Sequence, residues 1–252
     1  MSDEVRTELA DGVAVVTLSS PRRRNAMNLD LAAKLVAAVR SVVGAPEARA
    51  LVVTGEPPAF CAGGDLAELQ RSDEPTLRAL YAGFLEVAAC PLPTIAAVNG
   101  PAVGAGLNLA LACDVRLAGP TALFDARFMQ IGLHPGGGYT WMVQRALGPQ
   151  GAAALTLLGD ALDAAEAERV GLVWRRYPDD DGLRAAALDL AGRAAAAPRD
   201  LLATTKATLR LTGAMATQAE ATELELRAQA ASIASPEFQR RVTELQERLR
   251  RR

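Results

Sequence analysis

Residues 87–113 run for twenty-seven positions without a single charge, and a chain holding such a run must bury it either in lipid or in its own core. The length would suffice for one membrane-spanning helix, and Gly100 and Gly104 even have the spacing by which membrane helices pack. Three prolines exclude that solution. Pro91, Pro93 and Pro101 each remove an amide donor and push the residue before them out of helical geometry. The stretch left for a helix begins at Ala102 and is too short to span. The run therefore reads as core: TIAAV (94–98) as a buried strand, NGPAVG as a turn, 105–113 as a helix buried on most sides, and DVRLA from Asp114 as a further strand. A chain of 252 residues, half of them apolar, is large enough to enclose such a segment in one domain, with or without a smaller appendage.

Several classes of function lack support. Lys+Arg 27 against Asp+Glu 29 leaves a net charge of -2, so the overall field attracts neither nucleic acid nor an anionic membrane. Cys61, Cys90 and Cys113 are odd in number and lack metal-ligand spacing, and the opening MSDEVRTELADG has no apolar signal core. These features predict a reduced, cytoplasmic protein. His134 is the single histidine, so a histidine-rich metal centre is not expected. There is no complete G-x-G-x-x-G and no G-K-[ST].

What the sequence does contain is one design used twice. LVVTGEPPAFCAGGDLAEL (51–69) has a strand, a loop and then Gly63-Gly64-Asp65 opening a helix, as TIAAVNGPAVGAGLNL does some forty residues later. A helix start leaves backbone N–H groups unpaired and carries partial positive charge, so two converging starts can hold one oxygen that becomes negative during a reaction. Ala62, Gly63 and Gly64, with Gly104, Ala105 and Gly106, are small enough for a substrate to approach the backbone. Two tight turns with no chemistry would look the same at this level.

These segments resemble the crotonase, or enoyl-CoA hydratase/isomerase, superfamily. The likeness rests on SSPRRRNAMNLDL (19–31), VVTGEPPAFCAGGDL (52–66), PTIAAVNGPAVGAGLNLALACDVRLA (93–118), GLHPGGG (132–138) and AERVGLV (167–173), in that order and spacing. It implies an α/β fold: a ββα spiral core, taken as residues 1–195, and a helical C-terminal region, 196–252, used for contacts within a homotrimer or hexamer. The pattern of Phe238, Val242, Leu245 and Leu249 along one face of the last predicted helix independently calls for a partner. The resemblance further implies an acyl-CoA thioester as ligand, no metal or redox cofactor, and an oxyanion hole formed by the N–H groups of Gly64 and Ala105. It sets the coenzyme A moiety against Arg24, Ala26, Ala62, Gly64, Asp65 and Leu66, with Arg22 and Arg24 offering charge to phosphate.

The same resemblance exposes a departure. Hydratases of this superfamily use two glutamates, and the positions they would take are Asn108 and Phe128. An amide cannot serve as a general base, though it can orient water or a substrate carbonyl, and a phenyl ring only shapes a wall. His134 is the candidate substitute for proton transfer. Asp125, with Arg127 nearby, is a second candidate but reads first as an ion pair or turn residue, Asp65 as a helix-start residue, and Tyr139 as either a substrate donor or a packed ring. Three functions follow: an enzyme that stabilises a thioester enolate without ordinary hydration, a non-catalytic acyl-CoA carrier or regulatory binding protein, and a subunit acting through its C-terminal helices.

Overall fold

Asp11 and Gly12 have φ angles of 51° and 80°, the left-handed pair required by a two-residue hairpin turn, and they fold β1 (Glu4–Ala10) back on β2 (Val13–Ser19). The computed structural model describes residues 4–251 and divides into two compact units, with the boundary between Ala195 and Ala196.

In the first unit, helices carry the chain between parallel strands. Helix α1 (Leu29–Gly44) leads to β3 (Ala50–Gly55); α2 (Leu66–Leu69) and α3 (Glu74–Ala89) lead to β4 (Thr94–Val98). Strand β5 (Pro101–Val103) and α4 (Ala105–Ala112) lead to β6 (Val115–Ala118), which is followed by β7 (Leu123–Asp125), α5 (Tyr139–Leu157), β8 (Leu162–Asp163), α6 (Ala164–Arg169), β9 (Arg175–Arg176) and α7 (Asp180–Ala195). The first sheet is ordered β1-β2-β3-β4-β6-β9 and the second β5-β7-β8. Two isolated parallel bridges, Met27 to Gly64 and Cys61 to Ala102, continue the second layer. The repeating unit is thus a strand of the first sheet, an extended piece in the second layer, then a helix. This is the ββα spiral that the resemblance implied.

Strand alternation gives each face of the first sheet its own core. Ala14, Val16, Leu18, Leu51, Val53, Ala96 and Val98 face the helices of the spiral. Val13, Ala50, Val52, Ile95, Ala97 and Leu117 pack against Leu183, Ala187 and Ala191 of α7. The uncharged run is accordingly dispersed: all of β4 is buried, and from Gly106 to Ala112 every residue of α4 is buried. No helix among the described residues is long and apolar enough to cross a membrane.

Two local expectations change. NGPAVG is not simply a turn, because Pro101–Val103 forms β5 and pairs with β7; proline is tolerated at the first residue of so short a strand. The segment after Gly63-Gly64 does not provide a second helix start at the glycines. Gly64 is extended, paired with Met27, and the four-residue α2 begins only after Asp65 caps it.

The second unit consists of α8 (Arg199–Thr212), α9 (Gln218–Ile233) and α10 (Pro236–Arg250). Thr217 and Glu220 form a capping box at the start of α9, and no residue of α10 is buried.

Candidate active site

A loop between β3 and Cys61 is shaped by two buried asparagines. Asn25, fully buried with φ 58°, donates through Nδ2 to the carbonyls of Glu56 (2.8 Å) and Ala59 (2.7 Å), while its Oδ1 accepts from Ser20 N–H at 2.8 Å. Asn99 exchanges hydrogen bonds with both the N–H (3.2 Å) and the carbonyl (2.8 Å) of Gly55, which ties the end of β3 to the end of β4. Side-chain amides can do this because each offers both a donor and an acceptor to backbone that no strand partner satisfies.

Held in this way, residues 61–64 run parallel to residues 101–104. Cys61 N–H donates to Pro101 at 3.1 Å and its carbonyl accepts from Val103 N–H at 3.0 Å. Cys61 is registered with Ala102, and Gly64 and Ala105, further along the two segments, line one cavity. Their N–H groups are left unused for different reasons. On the other side of Gly64, Met27 bonds Gly63 and Asp65 (2.6 and 2.8 Å), so the N–H of Gly64 points away from Met27. The N–H of Ala105 is unpaired because it opens α4. Gly104 before it has φ 49° and ψ -109°, a conformation that needs glycine. At the far end of α4, Arg116 donates to the carbonyls of Cys113 (2.8 Å) and Leu172 (2.7 Å), placing a half-buried cation where the helix dipole is negative.

Both N–H groups border a cavity of about 550 Å³ lined mostly by apolar side chains. Leu80, Tyr81 and Phe84 come from α3, and Phe128 closes the opposite side with its ring edge-to-face on Tyr139 at 5.0 Å. No carboxylate is among the described residues lining it; the titratable side chains there are Tyr81, Arg127 and His134. Cys61 lies beneath, fully buried, and burial pushes its thiol up to about 11, so it is a neutral thiol and no nucleophile at neutral pH.

Of the residues singled out from sequence, Ala62, Gly64, Leu66, Ala105, Asn108, Phe128 and His134 all line this cavity. Arg22, Arg24, Ala26 and Asp65 do not. Arg24 adjoins it through its carbonyl, which accepts from Ala62 N–H at 3.0 Å, and the side chains of Arg22 and Arg24 are exposed. Asp65 caps α2 by accepting from Glu68 N–H at 3.0 Å and pairs with Arg23 at 3.4 Å. His134 is exposed and donates its Nδ1–H to the Pro135 carbonyl at 2.7 Å, which leaves Nε2 as its open nitrogen. Asp125 is buried and ion-paired with Arg127, whose Nε lies 2.9 Å from it. Tyr139 is not a substrate donor: its fully buried hydroxyl is bonded to Thr156 at 3.0 Å.

Tyr81, Phe84 and Asn25 escaped the sequence reading. An asparagine beside a proline and three arginines carries no pattern that separates it from a surface turn. The aromatic pair does have helical spacing, but that spacing marks any buried helix face. The glycines of HPGGG had a signal without an explanation. A Cβ on Gly136 would lie 2.2 Å from the Tyr81 hydroxyl, and one on Gly137 would lie 2.4 Å from the Phe84 ring, so these glycines let the aromatic wall close on the loop.

A family model described as enoyl-CoA hydratase/isomerase matches residues 8–251. The probable enoyl-CoA hydratase EchA14 of Mycobacterium tuberculosis is 51% identical over 255 aligned positions, covering 98% of each chain. The 1,2-epoxyphenylacetyl-CoA isomerase of Escherichia coli is 35% identical over 208 positions, 79% of this chain and 78% of the relative. Among solved structures, an enoyl-CoA hydratase from Polaromonas sp. JS666 matches with a TM-score of 0.90 at 29% identity, covering 97% of each chain.

Proposed function

The chain belongs to the enoyl-CoA hydratase/isomerase family, and from that premise we propose that its cavity binds an acyl-CoA thioester and stabilises the enolate derived from it, without hydrating enoyl thioesters at the rate two glutamates would give. The observation that carries this reading is that Gly64 and Ala105, whose N–H groups donate to none of the described residues, line one apolar cavity. A thioester carbonyl oxygen seated between them gains two donors and the positive end of α4, and all three act more strongly as the oxygen becomes negative. Surrounding apolar side chains exclude the water that would weaken these interactions. The exposed Arg22 and Arg24, the latter bonded through its carbonyl to Ala62 of the cavity wall, are proposed to meet the coenzyme's phosphates.

The positions that the resemblance assigns to glutamates hold Asn108 and Phe128, and no described carboxylate lines the cavity to replace them. General acid-base help is worth roughly 10²- to 10⁴-fold, whereas one oxyanion donor is worth roughly 10²- to 10³-fold. Reactions that generate an enolate without a carboxylate base fit this inventory best, with His134 Nε2 as the available proton-transfer group.

The test is hydration of crotonyl-CoA and longer enoyl-CoA esters, followed by loss of the conjugated enoyl absorbance. Asn108→Glu/Phe128→Glu is expected to hydrate at least about 10²-fold faster than the unchanged protein. Rapid hydration by the unchanged protein would overturn the reading. Saturable binding of thioesters with no turnover of any enolate-forming substrate would favour a carrier.

For the second unit we propose self-association through α10, where Phe238, Leu245 and Leu249 are 38%, 54% and 62% exposed along one face. Leu245→Glu/Leu249→Glu is expected to lower the mass measured by light scattering to that of a smaller species. An unchanged mass would remove α10 from the interface.

A further inference from the structure

Arg127 brings a permanent positive charge to a cavity whose described lining holds no carboxylate and no other arginine or lysine. Its backbone stands at φ 54°, a region that glycine enters freely and an arginine only at a cost. Glycine would make the same turn more easily, so the turn does not account for the residue. The guanidinium is held by one edge. Its Nε and Nη2 both donate to Oδ2 of Asp125, the former at 2.9 Å, and Asp125 is only 3% exposed. Two of the five N–H donors of an arginine are used in this way. The other three, two on Nη1 and one on Nη2, have no partner among the described residues, and the side chain is 49% exposed. The same segment abuts the start of α4. Gly104 N–H donates to the Asp125 carbonyl at 2.9 Å, and a Cβ on Gly104 would meet the Ala126 carbonyl at 3.8 Å and the Phe128 ring at 3.9 Å. The residues on either side of Arg127 thus touch the glycine that precedes the Ala105 N–H.

We propose, resting on the acyl-CoA reading above, that Arg127 is a specificity-determining residue that selects acyl groups carrying a carboxylate of their own, the monothioesters of dicarboxylic acids. The ligand carboxylate accepts from the Nη1 and Nη2 donors that Asp125 leaves unused, while Asp125 holds the opposite edge. Asp125 orients the guanidinium before any ligand arrives, which lowers the ordering cost of binding. It also makes the pair close to neutral, so an uncharged ester meets no bare cation. A carboxylate entering an apolar cavity without such donors would be excluded by the cost of its desolvation. The coenzyme's phosphates offer the same chemistry to an arginine, and the esters compared below separate the two.

Titration of the full-length protein with malonyl-CoA against propionyl-CoA, and succinyl-CoA against butyryl-CoA, compares esters of equal carbon number. At least one acid is expected to bind about tenfold more tightly than its uncharged counterpart, the return from charge-assisted hydrogen bonds. Arg127→Gln should reverse that preference, and Arg127→Lys, which keeps the charge and loses the fork, should retain about threefold. Asp125→Asn/Arg127→Gln removes the buried carboxylate together with its partner, and it should behave as Arg127→Gln does even if the single variant folds poorly. Equal affinity of the unchanged protein for acid and uncharged esters, or an acid preference that survives Arg127→Gln, would overturn the proposal while leaving the acyl-CoA reading in place. A loss shared equally by all four esters in Arg127→Gln would also overturn it and assign the arginine to the coenzyme. Failure of every ester to bind the unchanged protein would overturn both readings.

Discussion

Gly106→Ala is expected to lower unfolding stability by about 3 kcal/mol and to weaken butyryl-CoA binding by about tenfold, close to the loss of one hydrogen bond to a neutral carbonyl. The added methyl would stand 2.0 Å from the Cys61 carbonyl oxygen, and that carbonyl is itself held by Val103 N–H at 3.0 Å. Neither side can yield cheaply, because both are backbone. The start of α4 must retreat from residues 61–64, and retreat separates Gly64 from Ala105. Gly192→Ala serves as the control. Gly192 is an exposed residue of α7 with nothing within 4 Å of the new methyl, so the same substitution there should stabilise by up to about 1 kcal/mol. Thermal unfolding together with thioester titration reads both effects. A Gly106→Ala protein with unchanged midpoint and affinity would show that close approach of α4 to the 61–64 segment does not build the hole.

Asn25→Ala should cost about 4 kcal/mol, measured by denaturant unfolding. The change strands the carbonyls of Glu56 and Ala59 and the N–H of Ser20 in the interior, and it puts alanine at φ 58°, which asparagine tolerates far better. Asn25→Asp tests the mechanism separately. Aspartate retains the acceptor but loses the donors and sets a carboxylate against two carbonyl oxygens, so it should be no better than alanine. If aspartate preserved stability, the amide donors would not be what shapes the loop. Either damaging variant should also weaken thioester binding, since the loop leads directly into residues 61–64.

These two positions also show what could be read in advance. The strands at β2, β3, β4 and β6, the helix after Gly104 and the helical C-terminal third were legible, because apolar periodicity and proline or glycine punctuation are local signals. The hairpin from β1 to β2 had its signal too, in Asp11-Gly12, and went unread among the polar residues of an exposed strand. β5 and β7 were less accessible. Strands of three residues exist only because a second layer pairs them.

For the site, sequence alone determined which residue types are present: small residues at 62–64 and 104–106, an amide at 108, a phenyl ring at 128, and no glutamate at either of the latter positions. Those identities set the chemistry that the cavity can offer. Tertiary structure alone decided how they are used. The N–H of Gly64 points away from Met27, which bonds its neighbours, and Gly136 takes one amide N–H of Asn108, whose oxygen is left buried without a partner among the described residues. Tyr81 joins the cavity because glycines 136 and 137 let α3 close on the loop. In each case the partner lies at least twenty-eight residues away in the chain, as Gly136 does from Asn108. Side-chain identity is a property of the sequence, whereas a free hydrogen bond is a property of what the fold has already satisfied.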